Sequence, residues 1–541
     1  MERPHVVIRC DASLRIGSGH VMRCLSLARA LKLRDADTVF LCRRQPGDLI
    51  ALVEQEFPVL ILPGFAEESS ESGHDGKPLS GRELYASWLG CTEEQDAIES
   101  LAVLAGYQHQ PLAWVVLDHY ALGNPWQRRM QEGLRQADDS APAILVLDDL
   151  ADRAHQASVL MDANRLDPEA PDPYQNLVPE ACTTLLGPAY ALLDPLYPRL
   201  QPLLPTRSKL ARVLVFFGGM DAANHVALGL EALSHPRLQH LAVDLVVGAA
   251  APHRNELARR VSQRPNTSLH VGLPSLIGLI GRADLALGGA GTSSWERACL
   301  GLPCLVVPVA ENQRQGAQAL QSAGVARCLD LQTALDPGAT LQEAFLELLD
   351  APDALLAMSE ACLQLGDGRG LFRVVAALLG PAPGLRLRPA MAADLWLYHW
   401  WASDPQVRRQ SFKSEPIPLA QHRQWFTGRI KSPLALLRVL EDGDGLPLGQ
   451  IRFERGDVRD TRAVISLSLD RLARGRGLAS ELLELGLAEL ARCWGNSTEA
   501  YGEVRADNPA SCRAFLRAGF QEVPPPRQGV RCFAKMNSYA P

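Results

Sequence analysis

Short apolar strand candidates alternate with helical segments through residues 6–379 of the chain. This alternation is typical of parallel sheets whose crossover helices cover both faces. A proline-rich stretch at 195–205 divides the alternation into two series, and we interpret it as a connector between domains. The sequence therefore predicts two α/β lobes, over residues 1–200 and 207–379.

A second break, Gly-Pro-Ala-Pro-Gly at 380–384, precedes a region whose pattern is no longer that of a parallel sheet. Helix candidates at 392–403 and 419–429 come first, and β-rich segments follow between 436 and 469. The chain then continues as helix, strand and helix. This order predicts an α+β domain over residues 385–541, the third folding unit of the chain.

Composition and charge exclude several classes of protein. Of 541 residues, 54 are Lys or Arg and 61 are Asp or Glu, so the formal charge of -7 provides no basic field for nucleic acid. No run approaches the ~20 apolar residues that span a membrane, and the N-terminus enters a strand candidate without a signal-peptide core. The 12 cysteines show neither a Cys-x-x-Cys pair nor zinc-type spacing, which indicates reduced thiols. We therefore expect a cytoplasmic protein that binds no metal, no nucleic acid and no membrane.

The first candidate site follows the first strand candidate, where Gly-Ser-Gly-His at 17–20 opens a helix. Its glycines permit a tight turn in which the backbone approaches a ligand, so Gly19 is assigned to the substrate. The helix dipole biases His20 towards the neutral form that can act as a general base. Arg23 lies one turn further on, where it can attract an anionic substrate. A histidine that only caps the helix explains the same motif.

The second candidate site is a strand, a glycine-rich loop and a helix start within 283–296. Such loops present backbone N–H groups and the positive end of a helix to phosphates. Glu296 in the first helical turn could accept hydrogen bonds from a sugar diol. A second glycine turn ends the strand candidate at 212–217. Either turn could be structural alone, whereas both in one α/β unit favour a nucleotide-diphosphate site. The residues assigned to this site are Gly218, Gly219, Gly289, Gly291, Thr292, Ser293 and Glu296.

These motifs carry a family resemblance. The GSGH opening, the FFGG turn at 216–219 and the segment GGAGTSSWERACLGLPCLVVPVAENQ at 288–313 resemble the two-lobed GT-B nucleotide-sugar enzymes. With LDHY at 117–120 and LDDLADR at 147–153, residues 5–370 are similar, more narrowly, to the UDP-sugar hydrolase family of pseudaminic acid biosynthesis.

The resemblance implies two Rossmann-like lobes in a GT-B architecture. It implies that His20 is the catalytic base and that Tyr120 and Asn312 bind the substrate. It also implies that the glycine-rich loop of the second lobe, together with Glu296, binds UDP.

The third candidate site is the run Arg-Gly-Arg-Gly-Leu-Ala at 474–479, which opens an amphipathic helix. Its glycines let successive amides point at a pyrophosphate. With the later Asn and the Gly-Phe pair at 519–520, the run resembles the signatures of GNAT-family N-acetyltransferases. The resemblance implies an α+β GNAT domain that binds acetyl-CoA as co-substrate through Arg474, Gly475, Arg476, Gly477, Leu478, Ala479 and Asn508.

One position departs from the GNAT pattern. Many relatives carry a tyrosine as general acid in the helix before Gly-Phe, and Phe515 stands near that place. The acid is then another residue, such as Tyr501, or a water molecule.

Together the resemblances predict a bifunctional enzyme of pseudaminic acid biosynthesis whose partners are a UDP-linked amino sugar and acetyl-CoA. The first two lobes hydrolyse UDP-2,4-diacetamido-2,4,6-trideoxy-L-altrose to free sugar and UDP by inverting attack of water at the anomeric carbon. The GNAT domain N-acetylates the UDP-4-amino-sugar precursor. Two alternatives stay open: a UDP-sugar glycosyltransferase, or a nucleotide-sugar binding protein, fused to a protein N-acetyltransferase.

Overall fold

Two parallel sheets and one mixed sheet organise the part of the chain that the structure describes. The computed structural model describes residues 3–64, 81–107, 111–136, 138–167, 170–310, 313–495 and 497–536. The chain divides into two units, Met1–Val374 and Val375–Pro541. The first unit holds both parallel sheets, and the second holds the mixed sheet.

The N-terminal sheet of the first unit is parallel throughout, and helices connect its successive strands from β1 to β5. Its strands are β1 (His5–Cys10), β2 (Asp37–Arg43), β3 (Val59–Leu62), β4 (Leu112–Asp118), β5 (Ala143–Leu147), β6 (Val159–Asp162) and β7 (Thr183–Leu186). The helices are α1 (Gly19–Leu33), α2 (Ile50–Val53), α3 (Gly81–Leu89), α4 (Glu93–Tyr107) and α5 (Asn124–Gly133). The strand order is β3-β2-β1-β4-β5-β6-β7. The order reverses between β1 and β4, and a reversal of this kind leaves a ligand crevice at the carboxyl edge of a sheet.

A second parallel sheet repeats this plan. Its strands are β8 (Arg212–Phe216), β9 (Ala242–Val247), β10 (Thr267–Val271), β11 (Leu285–Gly288), β12 (Cys304–Val306) and β13 (Ala326–Cys328). The helices that precede, connect and follow them are α6 (Leu196–Leu200), α7 (His225–Ala232), α8 (Arg254–Val261), α9 (Ile277–Arg282), α10 (Ser293–Cys299), α11 (Arg314–Ser322), α12 (Pro337–Asp350), α13 (Pro352–Leu365) and α14 (Gly370–Leu379). The order β10-β9-β8-β11-β12-β13 reverses between β8 and β11. The loops after β8 and β11 therefore border the crevice of this sheet.

Both parallel sheets are stabilised by strands that are apolar on both faces. Val6, Val7 and Ile8 of β1 are buried, and so are Val213 and Val215 of β8. Helices cover both faces of a parallel sheet, so its central strands read as continuous apolar runs rather than alternating ones. For this reason the central strands are recognisable in the sequence as short apolar runs.

The mixed sheet of the second unit has mainly antiparallel pairs. Its strands are β14 (Arg386–Pro389), β15 (Ala435–Glu441), β16 (Pro447–Glu454), β17 (Arg462–Leu469), β18 (Glu499–Arg505), β19 (Gln521–Val523) and β20 (Val530–Met536). The helices are α15 (Leu395–Ser403), α16 (Pro405–Gln410), α17 (Leu419–Ile430), α18 (Leu478–Trp494) and α19 (Pro509–Arg517). The strand order is β14-β15-β16-β17-β18-β20-β19, in which β17 and β18 pair in parallel.

The predicted fold class, two Rossmann-like lobes followed by an α+β domain, is confirmed. Strands β6, β7, β13, β14, β19 and β20 are not among the strand candidates of the sequence. The three of them that belong to the parallel sheets are only three or four residues long. Residues 337–379 form the three helices α12, α13 and α14. The proline-rich connector contains α6, in which Tyr197 is buried.

Among the described residues, no helix is both long enough and apolar enough to cross a membrane.

A buried ionic cluster ties α4 to the N-terminal sheet. The Asp96 carboxylate on α4 accepts hydrogen bonds from Arg9 Nη2 at 2.8 Å, Arg43 Nη2 at 2.8 Å and Trp126 Nε1 at 2.9 Å. Arg9 and Asp96 are both fully buried. Burial alone would raise the pKa of Asp96, but the two guanidinium groups outweigh it and hold that pKa well below its ordinary value.

We expect the Asp96→Ala variant to lose about 3–5 kcal/mol of unfolding free energy, because Arg9 would keep a buried charge with less compensation. Chemical denaturation of the full-length protein measures this loss. Glu99→Ala is a milder control, since Glu99 contacts Arg43 from the half-buried edge of the same cluster. Equal and small losses in both variants would contradict the structural role assigned to Asp96.

Candidate functional site

The crevice of the N-terminal sheet brings His20 and Asp118 together. His20 lies in the first turn of α1, which follows β1, and Asp118 is the last residue of β4. His20 Nδ1 lies 2.5 Å from Asp118 Oδ1. An ionised carboxylate only accepts hydrogen bonds, so Nδ1 carries the proton and donates it. Nε2 then has a free lone pair, the tautomer that a general base requires.

Arg23, one turn after His20, completes the cluster. Its Nε and Nη2 donate to Asp118 Oδ2 and Oδ1 at 2.6 and 2.7 Å, a bidentate pair. Its Nη1 donates to Asp149 Oδ2 at 3.0 Å, and the Tyr120 hydroxyl donates to the same oxygen at 2.6 Å. The Tyr120 ring stands edge-on to the His20 ring with centroids 4.6 Å apart. His20, Arg23 and Tyr120, assigned separately from sequence, thus form one connected group.

The charges of this group stabilise each other. Burial alone would raise the pKa of Asp118, but Arg23 and His20 lower it well below its ordinary value, so the carboxylate stays ionised. Burial and the neighbouring Asp149 carboxylate raise the pKa of Tyr120, so its hydroxyl keeps its proton. Arg23 therefore acts here mainly as an internal counter-ion, whereas the sequence predicted contact with an anionic substrate.

The glycine-rich loop of the second sheet faces this cluster across the cleft of the first unit. A β-carbon on Gly19 would lie 3.5 Å from Oγ1 of Thr292. Gly19 directly precedes His20, and Thr292 belongs to the loop that follows β11. The two sites predicted from separate motifs therefore border one cleft.

Buried Arg297 holds the shape of the loop. Its guanidinium donates to the Gly289 carbonyl at 2.8 Å and to the Ser293 hydroxyl at 3.1 Å. Gly291 and Thr292 are exposed. The backbone of Gly291 and Thr292 is therefore open to a ligand, while Ser293 is engaged within the protein.

The second glycine turn, Gly218 and Gly219, follows β8 at the same edge of the sheet. Gly218 has a φ of 89°, which favours glycine, and the Gly219 carbonyl accepts a hydrogen bond from the Gly248 amide.

Glu296 lies beside the Tyr197 side chain, and burial raises the pKa of Glu296. Asn312, assigned to the substrate from the resemblance, lies outside the described residues.

The sequence assignment missed two residues of the first site, Asp118 and Asp149. Each stands in a quoted motif, LDHY or LDDL, just past the apolar part of a strand. Strands β4 and β5 are neighbours, so their carboxyl ends meet at one edge of the sheet. The sequence thus showed two acidic residues at strand ends, but only the strand order shows that both carboxylates reach Arg23.

A cavity of the second unit lies where β17 and β18 separate. The two strands pair only as far as Ile465 opposite Gly502, although they continue to Leu469 and Arg505. A cavity of about 1060 Å³ opens there, lined by residues of both unpaired segments. Unpaired strand backbone can bind an amide-containing chain in the manner of an added strand.

Four of the seven residues assigned to acetyl-CoA line this cavity, namely Arg474, Gly475, Ala479 and Asn508. Gly477 lies at the start of α18 with a φ of 79°, and Leu478 begins the helix. The Arg476 Nε donates to the Leu472 carbonyl at 3.0 Å. These last three are neighbours of the cavity-lining residues in sequence, and their contact with a ligand stays a prediction.

Tyr501 fits the role of general acid poorly. Its hydroxyl donates to Cys532 Sγ at 3.0 Å, and its pKa is raised to about 12, first by burial and then by Cys532. Phe515, by contrast, lines the cavity.

Aromatic and cationic side chains also line this cavity. His422 and Trp425 of α17 line it together with Arg452 of β16, whose guanidinium lies 4.9 Å from the Trp425 ring centroid. Burial lowers the pKa of His422 to about 4, so this ring is neutral near pH 7.

No group of three or more His, Cys, Asp or Glu side chains is placed to hold a metal ion within the described ranges.

Comparison with known proteins bears most directly on the second unit. Residues 384–521 match the acetyltransferase (GNAT) domain family. This domain is therefore an acetyl-CoA-dependent acetyltransferase domain, and acetyl-CoA is its co-substrate.

The chain is also similar to two curated proteins and to a solved structure. The spore coat polysaccharide biosynthesis protein SpsG of Bacillus subtilis is 28% identical over 193 residues, 36% of this chain and 57% of that protein. The chain thus spans little more than half the length of this relative. The uncharacterized protein MJ1062 of Methanocaldococcus jannaschii is 21% identical over 542 residues, 96% of this chain and 97% of that protein. MurG of Acinetobacter baumannii covers 69% of this chain and 99% of its own length at 16% identity and a TM-score of 0.45.

We expect Asp118→Asn to lower the unfolding free energy at pH 7 by about 3 kcal/mol, because Arg23 loses a buried counter-ion. Since the pKa of Asp118 is lower in the folded than in the unfolded protein, its stabilisation is complete above pH ~4 and is lost as the pH falls below that value. The stability difference between the wild type and the variant should therefore narrow between pH 7 and pH 3. Denaturation curves at both pH values measure it, and a difference independent of pH would count against an ionised Asp118.

Proposed function

We propose that the first unit hydrolyses a UDP-linked sugar and that the second unit acetylates an amino-sugar nucleotide. The observation that carries the first proposal is the Asp118–His20 pair, which faces the glycine-rich loop across a single cleft. A base held next to a phosphate-binding loop is the arrangement that removal of UDP from an anomeric carbon requires. The resemblance of residues 5–370 to the UDP-sugar hydrolases of pseudaminic acid biosynthesis supports the same reaction.

In the proposed hydrolysis His20 Nε2 takes a proton from water as the oxygen attacks the anomeric carbon. The new C–O bond forms as the bond from that carbon to the UDP oxygen breaks, and the sugar leaves with inverted configuration. Asp118 fixes the tautomer of His20 and stabilises the imidazolium ion that forms. The buried Asp118–Arg23 pair keeps this geometry without any rearrangement during the reaction.

In this proposal the second lobe binds the negative charge of the departing UDP. The exposed backbone of Gly291 and Thr292 can donate N–H groups to its phosphates, and the glycine turn after β8 borders the same crevice. These contacts stabilise charge that develops in the transition state. Asn312 and Glu296 complete the proposed substrate site through the family resemblance.

In the second unit the free amine of the acceptor attacks the thioester carbonyl of acetyl-CoA. The amine nitrogen forms an amide bond, the C–S bond breaks, and coenzyme A leaves as a thiol. Unpaired backbone of β17 would hold the pantetheine arm and polarise the carbonyl. The aromatic and cationic side chains that line the cavity, among them Trp425 and Arg452, support an acceptor such as a UDP-4-amino sugar.

The presence of both units in one chain supports two activities in the same biosynthetic route. Similarity to a polysaccharide biosynthesis protein and the presence of an acetyltransferase domain both fit the synthesis of an N-acetylated sugar. Acetylation of a nucleotide-linked amino sugar and removal of its UDP are successive steps on one molecule. We therefore propose pseudaminic acid biosynthesis in the cytoplasm as the setting.

The first test is UDP release from UDP-2,4-diacetamido-2,4,6-trideoxy-L-altrose without an acceptor. We expect His20→Ala to lower kcat by ~10²–10⁴-fold, because the general base is lost, and to leave UDP affinity nearly unchanged. A coupled assay for UDP and calorimetric titration with UDP measure the two quantities. Wild-type turnover in the variant would refute the assignment of His20, and a strict need for an acceptor would identify a glycosyltransferase.

The second test separates the two activities. Ala479 lines the cavity of the second unit in the first turn of α18, so Ala479→Glu would place bulk and negative charge where the cofactor phosphates bind. We expect this variant to lose acetyl transfer and to keep the hydrolysis of an acetylated UDP-sugar. Ala479→Gly, which adds no bulk, is the matched control. Free thiol and UDP are followed separately, and full acetyl transfer by Ala479→Glu would show that the cofactor site is misplaced.

A further inference from the structure

Helix α3 lies at the carboxyl edge of the N-terminal sheet, next to the candidate hydrolytic site. The Arg82 Nη1 on this helix donates to the Tyr120 carbonyl at 2.7 Å, just past the end of β4. The Trp88 carbonyl accepts a hydrogen bond from Gln45 Nε2 at 3.1 Å, just past the end of β2. Both attachment points are at the edge where ligands bind to sheets of this class.

The loop that holds Gln45 also contacts the loop that leads to His20. The Leu14 amide donates to the Pro46 carbonyl at 3.0 Å. Helix α3 is therefore connected to both sides of the crevice, through Tyr120 on one side and through the Gln45 loop on the other.

Four aromatic rings run from the proposed base to this helix. The Tyr120 ring lies 4.6 Å from His20, and its centroid is 5.2 Å from Tyr85 and 6.0 Å from Trp88. Tyr85 and Trp88 are themselves 5.0 Å apart, edge to face. Tyr85 is buried, whereas Trp88 is only half-buried and keeps an open surface. Tyr120 and Trp88 are thus the two half-buried rings of the set.

We propose that Trp88 is a specificity-determining residue that packs against the sugar of the nucleotide-sugar substrate. This inference rests on the proposed hydrolysis, because it places the sugar beside His20. The acceptor and donor groups nearest His20 are already engaged with each other: Tyr120 and Arg23 both bind Asp149, and Arg23 binds Asp118. A sugar in this position meets ring surface more than free hydrogen-bonding groups.

The chemistry of that surface selects a class of sugar. A sugar rich in hydroxyl groups would lose hydrogen bonds to water against aromatic rings, whereas a deoxy carbon or an acetamido methyl group gains from burial. The wall of Tyr85, Trp88 and Tyr120 therefore favours a deoxygenated, N-acylated sugar over a fully hydroxylated one. Trp88 contacts the sugar in both ground state and transition state, so it acts on binding more than on the chemical step.

The experiment compares wild type, Trp88→Ala and Trp88→Phe with UDP-2,4-diacetamido-2,4,6-trideoxy-L-altrose as substrate and UDP as product inhibitor. For Trp88→Ala we expect KM to rise roughly tenfold, kcat to stay within about twofold, and the inhibition constant of UDP to stay unchanged. Trp88→Phe should recover most of the loss, because it restores a ring. Tyr107→Ala, which removes an exposed ring from α4, is the control for loss of an aromatic residue.

An unchanged KM in Trp88→Ala would overturn the proposal. An equal loss of affinity for UDP and for the UDP-sugar would also overturn it. A ring that contacts only the linked sugar cannot change the affinity for free UDP, which lacks that sugar. If the wild-type protein releases no UDP, the proposed hydrolysis is wrong. Calorimetric titration with the UDP-sugar and with UDP then still tests whether Trp88 contacts the sugar. The ratio of the Kd values of the UDP-sugar and UDP should rise in Trp88→Ala, and an unchanged ratio would refute the contact.

Discussion

The buried negative charge of Asp118 is the constraint on which the first site depends. A carboxylate without solvent must be paired, and here one helix supplies both partners, His20 and Arg23, three residues apart on the same face of α1. The pair fixes the orientation of α1 against β4 and leaves one imidazole nitrogen for chemistry. Asp149 then pairs with the remaining side of Arg23 and binds the Tyr120 hydroxyl. The geometry of this group thus follows from three charges, those of Asp118, Arg23 and Asp149.

Strand order explains where the sites lie. Each parallel sheet reverses its strand order once, between β1 and β4 and between β8 and β11, and the glycine motifs follow three of these four strands. In the second unit β17 and β18 pair for only part of their length, and the cavity opens where they separate. The parting of β17 and β18 leaves strand backbone groups unpaired, and at each reversal in the parallel sheets the loops present their own backbone groups. Such groups are available to a ligand.

Local pattern in the sequence predicted most elements, because buried parallel strands are apolar runs and glycine turns are visible directly. It predicted the GSGH and glycine-loop motifs and their chemistry but not the partners of His20, since Asp118 is 98 residues away. Likewise, Arg23 reads as a substrate contact in sequence and is an internal counter-ion in the structure. Short strands such as β6 and β13 were missed, because their position comes from neighbouring strands rather than from their own residues. Pairing across the fold is the information that local pattern lacks.

The most direct test of the account is hydrolysis of the UDP-diacetamido sugar in water enriched in oxygen-18, with mass spectrometry of both products. Attack of water at the anomeric carbon, assisted by His20, predicts that the label appears in the hydroxyl of the free sugar and that UDP remains unlabelled. Because the proposed mechanism takes its nucleophile from water, turnover should need no acceptor. Label in UDP would show that water attacks phosphorus instead, and it would contradict the mechanism derived from this cleft.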